Sequence, residues 1–314
     1  MKLTRRQLRK LILEYSETEQ TYFGAGITAL IKHPNKIYKE DEFGNQVLND
    51  ELLKKVGKRK GGGFYRDTYF IDDNENLLLK ISNRNDDPSK DAGIDYATQA
   101  EMTNQYEIDF FNKYPDFFPK VYIHEREPDG TTRLSMPRWF VVEKVKVIES
   151  IEEMNEKIVE TFPSIAAAYN YLTLWLDIKS ALLYEGIPSV FEADKEKLRL
   201  REDKENWIQL LFFTAILKNF KSGTLFERLM NLNVWKAKNM TFDQKISYID
   251  NKIMRIIEKI VLSDRKILEF HRLLTDLNNV EDSTFEFNEI SPGNVGTDLN
   301  GEGFKLIDIS LFDK

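Results

Sequence analysis

The chain of 314 residues contains no cysteine. This absence excludes disulfide bonds, thiolate nucleophiles, iron–sulfur clusters and cysteine-ligated zinc, and it fits a reducing compartment such as the cytosol. The only histidines are His33, His124 and His271, and their wide separation does not match the spacing of a zinc site. Any metal bound by the chain is therefore expected to be a hard cation held by oxygen ligands.

Long apolar runs are absent as well. No stretch approaches the roughly 18 consecutive apolar residues of a membrane-spanning helix, so no membrane partner is expected. A net charge of -7 argues against a protein whose main role is to coat nucleic acid. The chain nevertheless has 41% hydrophobic and 12% aromatic residues, enough to bury a sizeable core, which predicts a globular protein.

The first fifteen residues, Met1 to Tyr15, are rich in lysine and arginine. Leu8, Leu11 and Tyr15 recur at helical spacing, so the pattern predicts a short basic amphipathic helix that Thr4 caps. The segment lacks the apolar run and the small-residue cleavage site of a secretion signal, and a cytoplasmic protein is expected. Two interpretations stay open: a solvated helix packed on the body of the protein, and a docking or packaging tag.

The order of segments predicts an α+β protein. Between residues 51 and 147, aromatic and β-branched runs predict strands, with one helix near residues 96–114. After residue 147 the chain is predicted to be helical, including a helix at 165–184 and capping boxes at Ser150 with Glu153 and Thr241 with Gln244. Short strands return near the C-terminus, with a turn at Asn300-Gly301. The predicted strands are 64–71, 77–81, 139–145, 284–287, 295–297 and 304–307.

Gly57 and Gly61 to Gly63 place four glycines within seven positions, directly before a predicted strand. Glycine lets backbone N–H groups approach a polyphosphate without a Cβ in the way. A flexible turn is the alternative, and the Lys-Ser or Lys-Thr of a Walker loop does not follow. Neighbouring basic residues either attract an acidic substrate or form a solvated face. They are Lys54, Lys55, Lys58, Arg59 and Lys60.

Lys80 lies inside the apolar run 77–81, where burial of an unpaired ammonium group is costly. The pattern therefore predicts an anionic partner, and Glu107 on the helix at 96–114 is the candidate. The alternative is an edge residue whose amine reaches water. Tyr106, Phe110 and Phe111 are predicted to mark the buried side of that helix.

Two further segments carry candidate ligand groups. The apolar strand at 139–145 ends where the helical region begins, and such a junction exposes backbone groups that a planar base can contact, although an ordinary core strand is the alternative. Glu289 and Asn294 lie five residues apart in a Pro-Gly loop, and Asp308 ends the hairpin that follows. The hairpin can bring Asn294 and Asp308 to one point, where their oxygens suit Mg²⁺.

In this order, the motifs resemble the protein-kinase-like fold, including aminoglycoside and choline phosphotransferases, and above all the small serine/threonine kinase-like proteins of phage genomes. The likeness covers most of residues 56–145 and 284–310, and the basic N-terminus is similar to leader segments of marine bacteriophage proteins. The matching segments are Gly63 to Tyr69, Lys80-Ile81, Asn104 to Glu107, Pro119 to Tyr122, Asn288 to Gly296, and Leu306 to Asp308.

The resemblance implies a bilobal fold that binds ATP and Mg²⁺. Residues 1–50 would be a lead-in, residues 51–145 a β-rich N-lobe with one helix, and residues 146–314 a helical C-lobe that carries the metal-binding hairpin. In this scheme Lys80 contacts the α- and β-phosphates, Glu107 orients Lys80, and Glu289 occupies the catalytic-base position. The implied nucleotide-binding residues are Gly61, Gly62, Gly63, Lys80, Glu143 and Val145, and the implied metal ligands are Asn294 and Asp308.

The chain departs from the family pattern in three respects. Glu289 replaces an aspartate, which moves the carboxylate by about 1.5 Å, and a displacement of about 1 Å can cost about 100-fold in rate. Ile309 follows Asp308 where the family has glycine. The chain ends six residues after Asp308, so no activation segment is expected and the C-lobe helices must come from residues 146–280.

We therefore expect a phosphotransferase that moves the γ-phosphoryl group of ATP to a hydroxyl acceptor, on a protein or on a small molecule. The alternative is a catalytically weak or inactive pseudokinase that acts as a nucleotide-binding or virion-associated interaction module. A third interpretation is an unrelated α+β protein whose motifs match by accident. The expected location is the host cytoplasm, or the virion if the protein is viral.

Overall fold

In the computed structural model, strands dominate the chain up to residue 147 and helices dominate it from residue 151 to residue 278. The protein is therefore α+β, as predicted. The structure describes residues 24–33, 36–42, 46–62, 66–82, 96–125, 136–184, 204–231, 240–280, 283–285, 289–307 and 311–313. The predicted basic helix at Met1 to Tyr15 lies outside these ranges.

The chain divides into two compact units. Unit 1 consists of residues up to Lys146 together with 298–301 and 307–309, and unit 2 consists of 147–297, 302–306 and 310–314. Within the described ranges, no helix is both long enough and apolar enough to cross a membrane.

A five-stranded antiparallel sheet organises unit 1. A helix at 24–32 (α1), a hairpin of β1 (Tyr38–Glu40) and β2 (Gln46–Leu48), and a short helix α2 (Asp50–Leu53) precede it. Helix α3 (Tyr96–Lys113) separates the third strand of the sheet from the fourth. The strands are β3 (Arg59–Gly62), β4 (Arg66–Ile71), β5 (Asn74–Ser82), β6 (Val121–His124) and β7 (Trp139–Glu143), in the spatial order β3-β4-β5-β7-β6.

Both faces of this sheet are covered. Side chains of β5 point alternately to the two faces and pack into a separate core on each. Leu77, Leu79 and Ile81 pack with residues of α1, β1 and β2, among them Ile27 and Tyr38. On the opposite face, Leu78 packs with Phe140 of β7 and Ile108 of α3. Because α3 covers this second face, polar residues of the helix also lie against the strands.

The segment before β3 lies tightly against β4. Asp72 donates its N–H to the carbonyl of Val56 at 2.9 Å, and Phe70 donates to the carbonyl of Lys58 at 2.9 Å. A Cβ at Gly57 would collide with the carbonyl oxygen of Phe70. Glycine at position 57 is therefore needed for close approach, which aligns the following glycine-containing strand with β4.

Unit 2 is built mainly of helices. They are α4 (Ile151–Thr161), α5 (Pro163–Tyr184), α6 (Lys204–Leu217), α7 (Thr224–Asn231), α8 (Met240–Leu262) and α9 (Arg265–Asn278). Strands β10 (Val295–Thr297) and β11 (Lys305–Leu306) form a hairpin, which β8 (Lys146–Val147) extends to three strands. Strands β9 (Ser283–Phe285) and β12 (Leu311–Asp313) form a separate antiparallel pair.

Four phenylalanines fix the hairpin to the helices. Phe304, just before β11, has its ring centroid 5.7 Å from Phe212 of α6, 6.0 Å from Phe162 and 6.1 Å from Phe270 of α9. All four side chains are buried, and the rings of Phe304 meet the other three edge to face, a favoured geometry for aromatic pairs. The hairpin is thus held by the core of unit 2.

A buried ion pair lies in the same unit. Lys179 of α5 donates to Asp250 of α8 at 2.8 Å and to the carbonyl of Leu229 at 2.9 Å. The second oxygen of Asp250 accepts from Trp175 Nε1 at 2.8 Å. Burial lowers the pKa of Lys179, opposed by the bond to Asp250. Because every member has a partner, the pair links α5 to α8 without an uncompensated charge.

The predicted elements are mostly present, with corrections to several of their ends. The helix predicted at 96–114 spans Tyr96–Lys113, and the one predicted at 165–184 begins earlier, at Pro163. The strand predicted to reach Val145 ends at Glu143. Thr241 does not begin a helix, since α8 already includes Met240. The Ser150 cap is present, with Ser150 Oγ accepting from the N–H of Glu153, and the Glu153 carboxylate accepts from the N–H of Glu149.

Replacement of Phe304 by alanine should destabilise the protein by about 3–5 kcal/mol, because it leaves a cavity among three aromatic rings. Urea denaturation of the variant and of the natural chain measures this loss. Leu299→Ala is the matched control, since Leu299 is exposed in the same hairpin and should change stability by no more than about 0.5 kcal/mol. Equal losses for the two variants would contradict the anchoring role of Phe304.

Candidate functional site

Lys80 is a buried cation in an apolar strand. Its side chain lies on the α3 face of β5, and the residue pairs with Thr68 of β4 and Phe140 of β7. Only 7% of the residue is exposed. Its Nζ lies 2.7 Å from Oε2 of Glu107, so the ion pair that the sequence predicted is present in the structure.

Glu107 is shared with a second cation. Arg66 Nη2 lies 2.6 Å from the other carboxylate oxygen, Oε1. Arg66 pairs with Ser82, two residues along β5 from Lys80, and this diagonal relation brings both cations within reach of one carboxylate. Glu107 therefore joins α3 to two adjacent strands.

Asn104 holds the same helix one turn earlier. Its Nδ2 donates to the carbonyls of Pro137 at 2.9 Å and Arg138 at 3.1 Å, and its Oδ1 accepts from Arg66 Nη1 at 3.4 Å. Asn104 and Glu107 are three residues apart and share one face of α3. Helix α3 is thus attached to the sheet through polar groups that do not involve Lys80.

Lys80 also contacts the C-terminal part of the chain. Its Nζ donates to the carbonyl oxygen of Ile307 at 2.8 Å, across 227 residues of sequence. Ile307 belongs to unit 1 like Lys80, and it directly precedes Asp308, which lies outside the described residues. An ammonium group has three N–H donors, and the described partners, Glu107 and Ile307, leave one for a ligand.

The glycine segment differs from the expected loop. Gly61 and Gly62 belong to β3 and pair with Thr68 and Asp67, whereas Gly63 lies outside the described residues. The strand continues through the glycines because β4 offers backbone partners on that side. A Cβ at Gly61 would meet no atom within 4 Å, so the space beside it is open.

At the end of β7, Glu143 and Val145 differ in their hydrogen bonding. Glu143 donates its N–H to the carbonyl of Lys120 at 2.8 Å, and its carboxylate accepts from the N–H of Lys120 at 3.2 Å. Val145 is 7% exposed, and within the described part of the chain its N–H has no acceptor. A buried backbone donor without a partner is rare, and a ligand acceptor would satisfy it.

In unit 2, the loop before β10 brings Glu289 and Asn294 together. Asn294 Nδ2 donates to Oε2 of Glu289 at 2.9 Å. The loop is closed by hydrogen bonds from Ser291 N to Glu289 O and from Asn294 N to Ser291 O, both 3.0 Å. Gly293 has a φ of +94°, which favours glycine, and its N–H donates to the carbonyl oxygen of Ile148 at 2.8 Å.

The proposed metal ligands are only partly described. No three acidic or histidine side chains among the described residues are close enough to hold a metal ion, and Asp308 is not one of these residues. The predicted hairpin is present, with Val295 paired to Leu306 and Asn300-Gly301 in its turn. Asn294 fits a hard cation in one respect: its amide nitrogen serves Glu289, which leaves Oδ1 as an oxygen donor.

Sequence reasoning missed Arg66 and Asn104. Its prediction for the buried side of α3 was right for Phe110, which is buried, but Tyr106 and Phe111 are only half-buried, and Asn104 is buried with Glu107. The available signal was positional. Asn104 lies three residues before Glu107, and Arg66 alternates with Thr68 on the strand next to Lys80, so all three could have been placed around one ion pair.

Comparison with known proteins does not extend these assignments. No protein-family model matches the chain, and no curated protein shows significant similarity to it.

Glu107→Gln should lower the free energy of unfolding by about 3–5 kcal/mol, because it removes the carboxylate that pairs with both of the buried cations Lys80 and Arg66. Chemical denaturation measures the effect. Glu75→Gln on β5 is the control, since Glu75 is exposed and should change stability by no more than about 0.5 kcal/mol. A Glu107 variant as stable as the control would show that the two cations do not depend on this carboxylate.

Proposed function

We propose that the protein is a kinase-like phosphotransferase that binds ATP with Mg²⁺ and moves the γ-phosphoryl group to a hydroxyl acceptor. The family resemblance favours an acceptor on a protein. One observation carries the proposal. Lys80, paired with Glu107, also contacts the carbonyl of Ile307, the residue before Asp308. The proposed phosphate ligand and the residue adjoining the proposed metal ligand thus lie together in unit 1, although 227 positions separate them in sequence.

The architecture of unit 1 supports the same proposal. A five-stranded antiparallel sheet with α3 inserted after its third strand has the content that the resemblance implies for an N-lobe. Helix α3 carries the glutamate that contacts the lysine of that third strand. A nucleotide could also fill the open space beside Gly61 and accept a hydrogen bond from the N–H of Val145.

The residues would divide the chemistry between them. Lys80 would place a positive charge beside the phosphate chain, where negative charge must be held in the transition state. The bound Mg²⁺, with Asn294 and Asp308 as its expected ligands, would supply further charge neutralisation. The acceptor oxygen would form a bond to the γ-phosphorus as the bond to the bridging oxygen of ADP breaks, and Glu289 would take the hydroxyl proton.

The second candidate is a nucleotide-binding module that performs no chemistry. It is favoured by Glu289, whose longer side chain accepts a hydrogen bond from Asn294. A carboxylate held in this way must still reach the acceptor hydroxyl to act as a base. Stabilisation by ATP and Mg²⁺ in a thermal-shift titration, without release or transfer of the γ-phosphoryl group, would select this candidate.

Lys80→Ala should weaken ATP binding about 10- to 100-fold, the effect of losing one charge-assisted hydrogen bond of roughly 1.5–3 kcal/mol. Isothermal titration calorimetry measures the change. The fold should tolerate the replacement because Arg66 still neutralises Glu107. Lys55→Ala is a control, since Lys55 is exposed and makes no described ion pair. ATP affinity that does not change in Lys80→Ala would remove Lys80 from the phosphate site.

Asp308→Asn should raise the Mg²⁺ concentration needed for half-maximal phosphoryl transfer by at least about tenfold, because it removes an anionic metal ligand. A Mg²⁺ titration of γ-phosphate release measures the shift. Asp116→Asn, at an exposed position of unit 1, should leave the titration unchanged. An identical titration for Asp308→Asn and the natural chain would reject the ligand role.

A further inference from the structure

Helix α5 of unit 2 is apolar around almost its whole circumference. Among its 22 residues, only Asp177 and Lys179 are charged, and Lys179 is buried in its ion pair with Asp250. One side of the helix packs into the core of the unit through Ile165, Ala168, Leu172, Trp175 and Leu176. A helix that is hydrophobic on all sides is normally enclosed by protein. The opposite side of α5 is nevertheless exposed.

That exposed side carries a line of apolar side chains, which we call the α5 stripe: Ala167, Tyr171, Leu174 and Ile178. Their spacing is i, i+4, i+7 and i+11, the spacing of the a and d positions that meet between two paired helices. Leu174 is 59% exposed and Ile178 is 45% exposed. Ala167 is exposed and Tyr171 is half-buried. The stripe therefore has the pattern of a seam between two helices, but no second helix of the described chain covers it.

Another helix of unit 2 shows what an ordinary solvent-facing side looks like in this protein. The exposed positions of α9 are Arg265, Lys266, Arg272, Thr275 and Asn278, all of them polar. Single exposed apolar side chains are common on protein surfaces. A line of them along one helix is not, and contiguous apolar surface of this kind marks a contact with another molecule.

The charge of the stripe favours a second copy of the chain as the occupant. Asp177 is the only charged residue on the exposed side of α5 between positions 163 and 179, so a strongly charged partner would find little to pair with. Two copies of α5 in parallel would place their Asp177 side chains at the same level. In antiparallel pairing with Leu174 opposite Tyr171, they lie nine residues apart, about 14 Å. That distance exceeds the Debye length of about 8 Å at physiological ionic strength.

The same antiparallel alignment also matches side-chain volumes. It places the small Ala167 of one copy opposite the larger Ile178 of the other, and Leu174 opposite Tyr171. Each pair occurs twice because the alignment is symmetric, which gives four contact layers over about 16 Å of helix. Small residues opposite large ones let facing side chains interdigitate without voids. The stripe is therefore complementary to itself.

We propose that the α5 stripe is the seam of a homodimer, in which α5 of one protomer packs antiparallel against α5 of its partner. The inference goes beyond the proposed function and does not rest on it, since the whole stripe belongs to unit 2 and Lys80 belongs to unit 1. The seam involves one helix from each protomer, which is a small interface. We therefore expect a reversible dimer with a dissociation constant of about 1–100 μM.

Sedimentation velocity of the full chain, from about 1 to 300 μM, measures this equilibrium. The natural chain should change from monomer to dimer across the series. Leu174→Glu and Ile178→Glu should each raise the dissociation constant at least about tenfold, because they place a carboxylate in an apolar seam. Both positions are exposed in the protomer, so circular dichroism and thermal unfolding at the lowest concentration should not change.

Ile151→Glu is the matched control. Ile151 is 45% exposed, like Ile178, but it lies at the start of α4 and outside the stripe. This variant should dimerise within about twofold of the natural chain, because a surface substitution away from the seam leaves the contact intact. An equal loss of dimer in Ile151→Glu would show nonspecific association of apolar surface and overturn the proposal.

Disulfide trapping tests the antiparallel orientation, and it is simple here because the natural chain has no cysteine. An equimolar mixture of Ala167→Cys and Ile178→Cys should form a mixed disulfide dimer on oxidation. Neither variant should cross-link alone, because equal positions lie about 16 Å apart in the antiparallel seam and a disulfide needs Cα atoms within about 7 Å. Efficient cross-linking of each variant alone would overturn the antiparallel seam.

The remaining outcomes identify other occupants. A natural chain that stays monomeric up to the highest concentration overturns the proposal. If Leu174→Glu then lowers the melting temperature, the face is covered by another part of the same chain. If the monomer instead binds phosphatidylcholine vesicles and Leu174→Glu abolishes this binding, the face contacts lipid. Activity towards ATP decides neither case, since the seam and the proposed nucleotide site lie in different units.

Discussion

The order of unit 1 depends on the carboxylate of Glu107. It lies 2.7 Å from Lys80 on β5 and 2.6 Å from Arg66 on β4, so one side chain joins α3 to two strands of the sheet. Burial of these charges is unfavourable unless each has a partner. One carboxylate between two cations supplies that partner. The helix is therefore attached to the sheet at the place where the proposed function puts the phosphate chain.

The polar attachment of α3 to the sheet determines which contacts Lys80 can exchange. Helix α3 is held independently by Arg66 and by the bonds of Asn104 to Pro137 and Arg138. In the proposed function, Lys80 would consequently exchange a contact for a phosphate oxygen without releasing the helix. Its second bond, to the carbonyl of Ile307, is to a neutral acceptor and is easier to replace than an ion pair.

The sequence predicted those features that depend on local pattern or on a single energetic cost. Long helices such as α3 and α5 follow from periodicity, and the Lys80–Glu107 pair follows from the cost of burying an ammonium group. The role of Arg66 could not be inferred in this way, because a polar residue at a strand end usually faces water. Hydrophobic periodicity was only partly right for the buried side of α3, because Phe110 is buried as predicted but Tyr106 and Phe111 are half-buried, and a polar network buries Asn104 and Glu107.

In the proposed function, binding and catalysis would depend on residues of different units. The groups suited to hold phosphate belong to unit 1, whereas the proposed base, Glu289, belongs to unit 2 and takes its orientation from Asn294 at 2.9 Å. A hydrogen bond from the amide keeps the Glu289 carboxylate near the loop, which can offset the extra methylene relative to aspartate. If it does not, the second candidate, a nucleotide-binding module without turnover, would be favoured. Within the proposed function, the choice between a transferase and a binding module would therefore depend on the position of the Glu289 side chain.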